Sequence, residues 1–190
     1  MRSPLARALA ALARVLEKQG VRWYLFGAQA ALLYGAARLT ADVDVTVDLG
    51  HWSLPDLVAA LGGEFDLRVA DAVRFAEETR VVPFVHRSSR MPLDIILAGP
   101  GLEELFFKRR RRRMVDGVRV HVASPEDVIV MKVLAGRGKD EDDAVAILAA
   151  QRRLNLALIR STLVSLEAAL DQSDLSPRFE QLLARARSAF

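Results

Sequence analysis

The stretch RLTADVDVTVD, Arg38 to Asp48, sets valines and acids in alternation. Successive side chains of a β-strand point to opposite faces, so Asp42 and Asp44 share one face and Val43, Val45 and Val47 the other. Such a segment belongs in a sheet that buries one side and keeps the other for charge. Neighbouring carboxylates repel unless a cation lies between them or water solvates both, and from this pair alone both readings stand. Asp48 has the same parity but sits at the strand end beside Gly50, where it reads as a turn cap.

A chain of 190 residues is long enough to bury a sizeable core and reads as one folded unit. Its 52% hydrophobic content and lack of polar tracts exclude a disordered or low-complexity chain. The absence of cysteine excludes a disulfide framework and a thiolate metal site, and points to a reducing cytoplasm. In the N-terminal MRSPLARALAALARVLEKQG, Arg7, Arg14, Glu17 and Lys18 interrupt the apolar run, which makes it an amphipathic helix rather than a signal peptide. No apolar run has the length of a membrane span. The net charge is only +3, but KRRRRR, Lys108 to Arg113, concentrates positive charge in one place.

Ser3-Pro4 starts a first helix that runs to about Gln19, ahead of Gly20. VRWYLF is a strand ending at Gly27, AQAALLYGAA a short helix, and DVDVTV the second strand. Leu54 to Leu61 is helical, entered through Ser53 and Pro55. DLRV, VVPFVHR and PLDIILA are further strands, the middle one expected at a sheet edge because Pro83 has no N–H for a ladder. MVDGVRVHV is a hairpin turning at Asp116-Gly117. From Ser124 the pattern is helical throughout. The expected class is α+β: a mixed sheet with flanking helices over residues 1–123 and a helical C-terminal layer over 124–190.

Asp94 is a lone acid in the apolar strand PLDIILA, where burial without a partner would cost several kcal/mol or force it neutral. A metal shared with Asp42 and Asp44 accounts for all three, and oxygen donors of this kind suit Mg²⁺ or Mn²⁺. Upstream, the strand turns at Gly27 into a helix that begins with the small residue Ala28, a place where backbone N–H groups can approach a phosphate. A glycine there is also common as simple punctuation.

Taken together, FGAQAALLYGAARLTADVDVTV resembles the signature of the DNA polymerase beta-type nucleotidyltransferase superfamily: glycine, a second small residue, a helix, D-x-D, and a third Asp on a later strand. The R-x-T-x-D-x-D form and SPEDVIVMKVLAGRGKDEDD are similar to the branch of abortive-infection nucleotidyltransferase toxins. The likeness spans roughly Trp23 to Leu148, with one departure: Ala28 stands where the family has Gly or Ser.

The resemblance implies a nucleotidyltransferase-like fold and transfer of a nucleoside monophosphate from a nucleoside triphosphate such as ATP to an acceptor hydroxyl on RNA, protein or a small molecule. It implies metal ligation by Asp42, Asp44 and Asp94, and nucleotide contacts from Gly27, Ala28, Arg38 and Thr40. It also implies a phosphate-facing role for Lys132, positioned by Asp140, and a cognate toxin or antitoxin partner. Each has a plain counterpart. Lys132, the only charge in Ile129–Ala135, also fits a core-edge lysine whose head reaches water, and Asp140 fits an acid at a helix start. The run Lys108–Arg113 is either a solvated charge run or a guide for an RNA acceptor. His51, His86 and His121 have no ligand spacing. Two other functions compete: a catalytically inactive nucleotide-binding or antitoxin-like module, favoured by Ala28, and a basic RNA-binding adaptor, resting on the arginines alone.

Overall fold

The computed structural model describes residues 2–37 and 40–188. Its described residues contain β1 (Arg22–Phe26), β2 (Val43–Asp48), β3 (Phe65–Leu67), β4 (Val81–His86), β5 (Pro92–Leu97), β6 (Arg111–Val115) and β7 (Val118–Val122). They form one mixed sheet in the order β3-β4-β5-β2-β1-β7-β6. By internal contacts the chain divides into two compact units, one of Met1–Gln29 with Thr40–Ala123 and the other of Ala30–Leu39 with Ser124–Phe190.

The first unit carries the whole sheet. Strand β2 is central, antiparallel to β1 and parallel to β5, and its Val43, Val45 and Val47 are fully buried. Helix α1 (Pro4–Lys18) starts where Ser3 accepts a hydrogen bond from the Ala6 N–H, and it packs on β1 and β7. Helix α2 (Gly27–Tyr34) begins in this unit, and α3 (Leu54–Leu61) is closed by a Ser53–Asp56 capping box. Helices α4 (Ala72–Thr79) and α5 (Leu102–Arg109) were not expected. The signals are present for both: Asp71 accepts from the Arg74 N–H at the start of α4, and α5 opens on Glu103 and Glu104 and ends on Lys108 and Arg109.

One expectation is corrected. Strand β4 is not an edge, because it pairs with β3 on one side and β5 on the other. The Pro83 carbonyl accepts from the Arg68 N–H at 2.9 Å, so the backbone polar groups of Pro83 face the β3 side. There β3 ends at Leu67, and the missing N–H falls where the ladder stops. The hairpin formed as expected, but β6 reaches back to Arg111, so half of the basic run is edge strand.

The second unit contains α6 (Pro125–Ala135), α7 (Gly138–Ala150), α8 (Leu156–Leu170) and α9 (Leu175–Ser188), closed around Ile129, Val133, Ala144, Ile147, Leu163 and Phe179. Ser124 caps α6 by accepting from the Asp127 N–H. Lys132 on α6 is buried, and its ammonium donates to Asp140 at 2.7 Å and Asp143 at 2.8 Å on α7, both also buried. Arg137 donates to Asp140 from the intervening turn. Two cations thus meet two carboxylates in the layer between the helices. Burial pushes the Asp140 carboxyl up, but hydrogen bonds from Arg137 and Lys132 outweigh it, and it lies below the ordinary carboxylate range. No helix among the described residues is long and apolar enough to cross a membrane.

A carboxylate held low contributes stability above its unfolded pKa and loses it as pH falls through the lower folded value. Urea denaturation should therefore show stability declining below about pH 4, and less steeply in Asp140→Asn. Replacing Lys132 with Ala removes the ammonium that Asp140 and Asp143 share, with Arg137 still bonded to Asp140, and should cost about 3–5 kcal/mol. An unchanged urea midpoint would remove the cluster from the stability of this unit.

Candidate active site

The register of the central strands gathers the acids. Asp44 on β2 lies directly beside Asp94 on β5 in the parallel pair, and opposite Phe26 on β1 in the antiparallel pair. Laterally paired residues point to the same face, and Asp42, two residues before Asp44, points there too. The result is one group in which Asp42, Asp44 and Asp94 each offer an oxygen within 4.8 Å of the others. All three are half-buried, not deeply buried as the sequence argument for Asp94 assumed.

Gly27 stands against this group for a reason the sequence did not disclose. It has φ +63°, and a Cβ built on it would overlap the Asp44 carboxylate. The glycine therefore makes room for the acid as well as setting the start of α2. Ala28 follows it and is buried. Thr40 donates its hydroxyl to Asp42, and Gln29 reaches the Asp42 carbonyl at 3.4 Å. Arg38 lies outside the described residues. Asp48 is separate from the cluster: it accepts from Arg22 at 2.8 Å and from the Gly50 N–H at 3.0 Å. Burial pushes its carboxyl up, but these bonds hold it below the ordinary carboxylate range.

The residue that sequence reading missed is Arg68, just past β3, whose guanidinium pairs with Asp94. No spacing marks it, because β3 lies two strands from Asp94 on β5, with β4 between them. Three carboxylates this close repel one another, and their donor atoms are all hard oxygens. The set therefore fits a divalent ion of the Mg²⁺ or Mn²⁺ type. Lys132 and Asp140 belong to the ion cluster of the helical unit described above.

Arg68 and a metal ion would compete for the same carboxylate. Arg68→Ala should therefore tighten Mn²⁺ binding, followed by paramagnetic resonance, about two- to fivefold, the range of a partly exposed ion pair. Weaker binding would mean that Arg68 supports the ion rather than opposing it.

A family description, "Nucleotidyl transferase of unknown function" (DUF2204), matches residues 102–178. No curated protein matches the sequence. Among solved structures the chain is similar to an antigenic nucleotidyltransferase-like protein from Paracoccidioides brasiliensis, at 15% identity and TM-score 0.60, covering 97% of this chain and 94% of that one. It is also similar to the antibiotic-resistance factor ANT(2'')-Ia, at 15% identity and TM-score 0.58, covering 90% and 97%. The lincomycin-bound lincosamide antibiotic adenylyltransferase LnuA aligns at 14% identity and TM-score 0.52, covering 76% and 97%. The mixed sheet with its helices is thus the fold of nucleotidyltransferases.

Proposed function

We propose that this chain is a divalent-metal-dependent nucleotidyltransferase, and the observation that carries the reading is the convergence of Asp42, Asp44 and Asp94 beside the Gly27 turn. The three acids would hold the ion, whose chemistry is to neutralise phosphate charge and make an acceptor hydroxyl easier to deprotonate. Asp42 is kept in position by Thr40. The backbone N–H groups at the start of α2 supply donors to the triphosphate, with Ala28 small enough to permit close approach. Asp94 takes the proton from the acceptor hydroxyl as its oxygen attacks the α-phosphorus in line. One P–O bond forms, the bond to the β-phosphate bridge breaks, and pyrophosphate leaves with the electron pair. Positioning and charge neutralisation supply most of the rate in this class of reaction.

The test separates binding from transfer. Thermal shift with each nucleoside triphosphate should show stabilisation in Mg²⁺ and none in chelator, and Asp44→Asn should abolish the Mg²⁺-dependent shift. Incorporation of an α-labelled nucleotide into a cellular extract should fall by at least about a hundredfold in the same variant. Equal shifts with and without Mg²⁺ would sink the metal-dependent reading. Binding with no incorporation into RNA, protein or small molecules would make the chain an inactive nucleotide-binding module.

A further inference from the structure

The parity that gathers the acids also sorts the arginines. Val122 lies beside Leu25, so His121 and Arg119 on β7 project to the other face, with Tyr24, Phe26 and therefore Asp44. Arg112 pairs with His121 across the hairpin and joins that face, as does Arg110 two residues earlier, whereas Arg111 and Arg113 point the opposite way. Arg22 on β1 has the parity of Tyr24 and belongs to the same set. Strand geometry puts His121 and Arg112 roughly 12–16 Å from Asp44, measured between Cα positions.

These residues surround an open groove of about 400 Å³, lined by Glu17, Arg22, Arg110, Arg112, Arg119 and His121 among others. Arg112 and Arg119 are exposed, and Arg119 makes no side-chain hydrogen bond or ion pair among the described residues. The Arg112 Nε–H donates to His121 Nε2 at 3.4 Å. Arg110 stacks over Phe107, and its buried Nε–H has no partner. The indole Nε1–H of Trp23, a buried residue that also lines the groove, lacks a partner too. Burial lowers the pKa of His121, and the charges of Arg110 and Arg112 lower it further, a sign of concentrated positive potential. Charge on β6 would by itself be accounted for as protection of an edge strand. That explanation does not reach Arg119 on β7 or the unpartnered donors; Arg22 on β1 is accounted for by its pairs with Asp48 and Glu104.

We propose that this groove binds the phosphodiester backbone of a single-stranded nucleic-acid acceptor, holding it so that a hydroxyl farther along the strand reaches the acids. Arg112 and Arg119 lie on adjacent strands, about 8 Å apart by strand geometry, which suits successive phosphates, while Arg22 beside them is paired with Asp48 and Glu104. Arginine forks match phosphate oxygens. No exposed aromatic lines the groove, so bases are not stacked or read and binding is independent of sequence. The proposal names the acceptor class for the reaction inferred above and rests on that reading for its catalytic meaning. Its binding claim stands separately.

The experiment is fluorescence anisotropy with labelled single-stranded RNA of several sequences, comparing the full chain with its Arg112→Ser/Arg119→Ser variant. Both residues are exposed, so the melting temperature should hold. Affinity should fall about tenfold or more for every sequence, and the slope of log affinity against log salt should flatten by roughly 1.4, or 0.7 for each phosphate no longer neutralised. Mg²⁺-dependent triphosphate binding should persist in this variant, and RNA binding should persist in Asp44→Asn. Loss of triphosphate binding in the double variant would make the groove a nucleotide subsite and overturn the proposal. So would absence of RNA binding by the wild type, or equal affinity of the two chains. Failure of Asp44→Asn to alter triphosphate binding, with RNA binding as expected, would count against the nucleotidyltransferase reading alone.

Discussion

Asp44 and Asp94 stand side by side because β2 and β5 run parallel in register, and Asp42 joins them by parity. Like charges this close must be offset, and much of the surrounding structure answers that demand. Thr40 gives Asp42 a hydrogen bond, and Arg68 gives Asp94 a counter-charge. Gly27 gives Asp44 the volume that any side chain would take from it. On the other side of β2, fully buried Val43, Val45 and Val47 fix the strand in the sheet core, so the acids cannot turn inward to escape one another. A one-residue slip of β2 would bury the carboxylates and expose the valines, which is why this register is so strongly specified.

What was legible in the sequence was whatever local pattern dictates. Alternation located β2 and the shared face of its acids, turn chemistry placed the Asp116-Gly117 hairpin, and capping residues marked α1, α3 and α6. The parallel pairing of β2 with β5 is non-local, and the sequence pointed to it only through the isolated position of Asp94. Arg68 was invisible because its partnership depends on strand order. The edge assignment of β4 failed for a related reason: a proline excludes a strand from the sheet interior only where its absent N–H meets a full-length neighbour, and β3 is too short to be one there. For Lys132 the pattern gave burial of the stem, but the two carboxylates that receive its ammonium lie on the next helix and are placed by tertiary packing.

The basic run looked like a single feature as a string of letters. Folding into an edge strand divides it, because alternation sends Arg112 to one face and Arg111 and Arg113 to the other. Arg119, brought alongside by the hairpin, then joins the patch that Arg110 and Arg112 begin. Counting charges along the chain therefore overstated the run and missed the groove.

One face of the sheet consequently carries opposite charges at separated places: carboxylates on β2 and β5, guanidinium groups toward β6. At roughly 12–16 Å the two groups lie beyond the Debye length of physiological salt, which is about 8 Å, so each acts on a ligand locally. An anionic strand on this face is attracted at the arginines and repelled at the acids until a cation neutralises them. In the proposed reaction, the carboxylates that hold the ion would also repel a phosphate-bearing acceptor in the ion's absence. On that proposal, occupation of the acids would be a condition for productive approach of such a chain, whereas binding in the groove would not be subject to it.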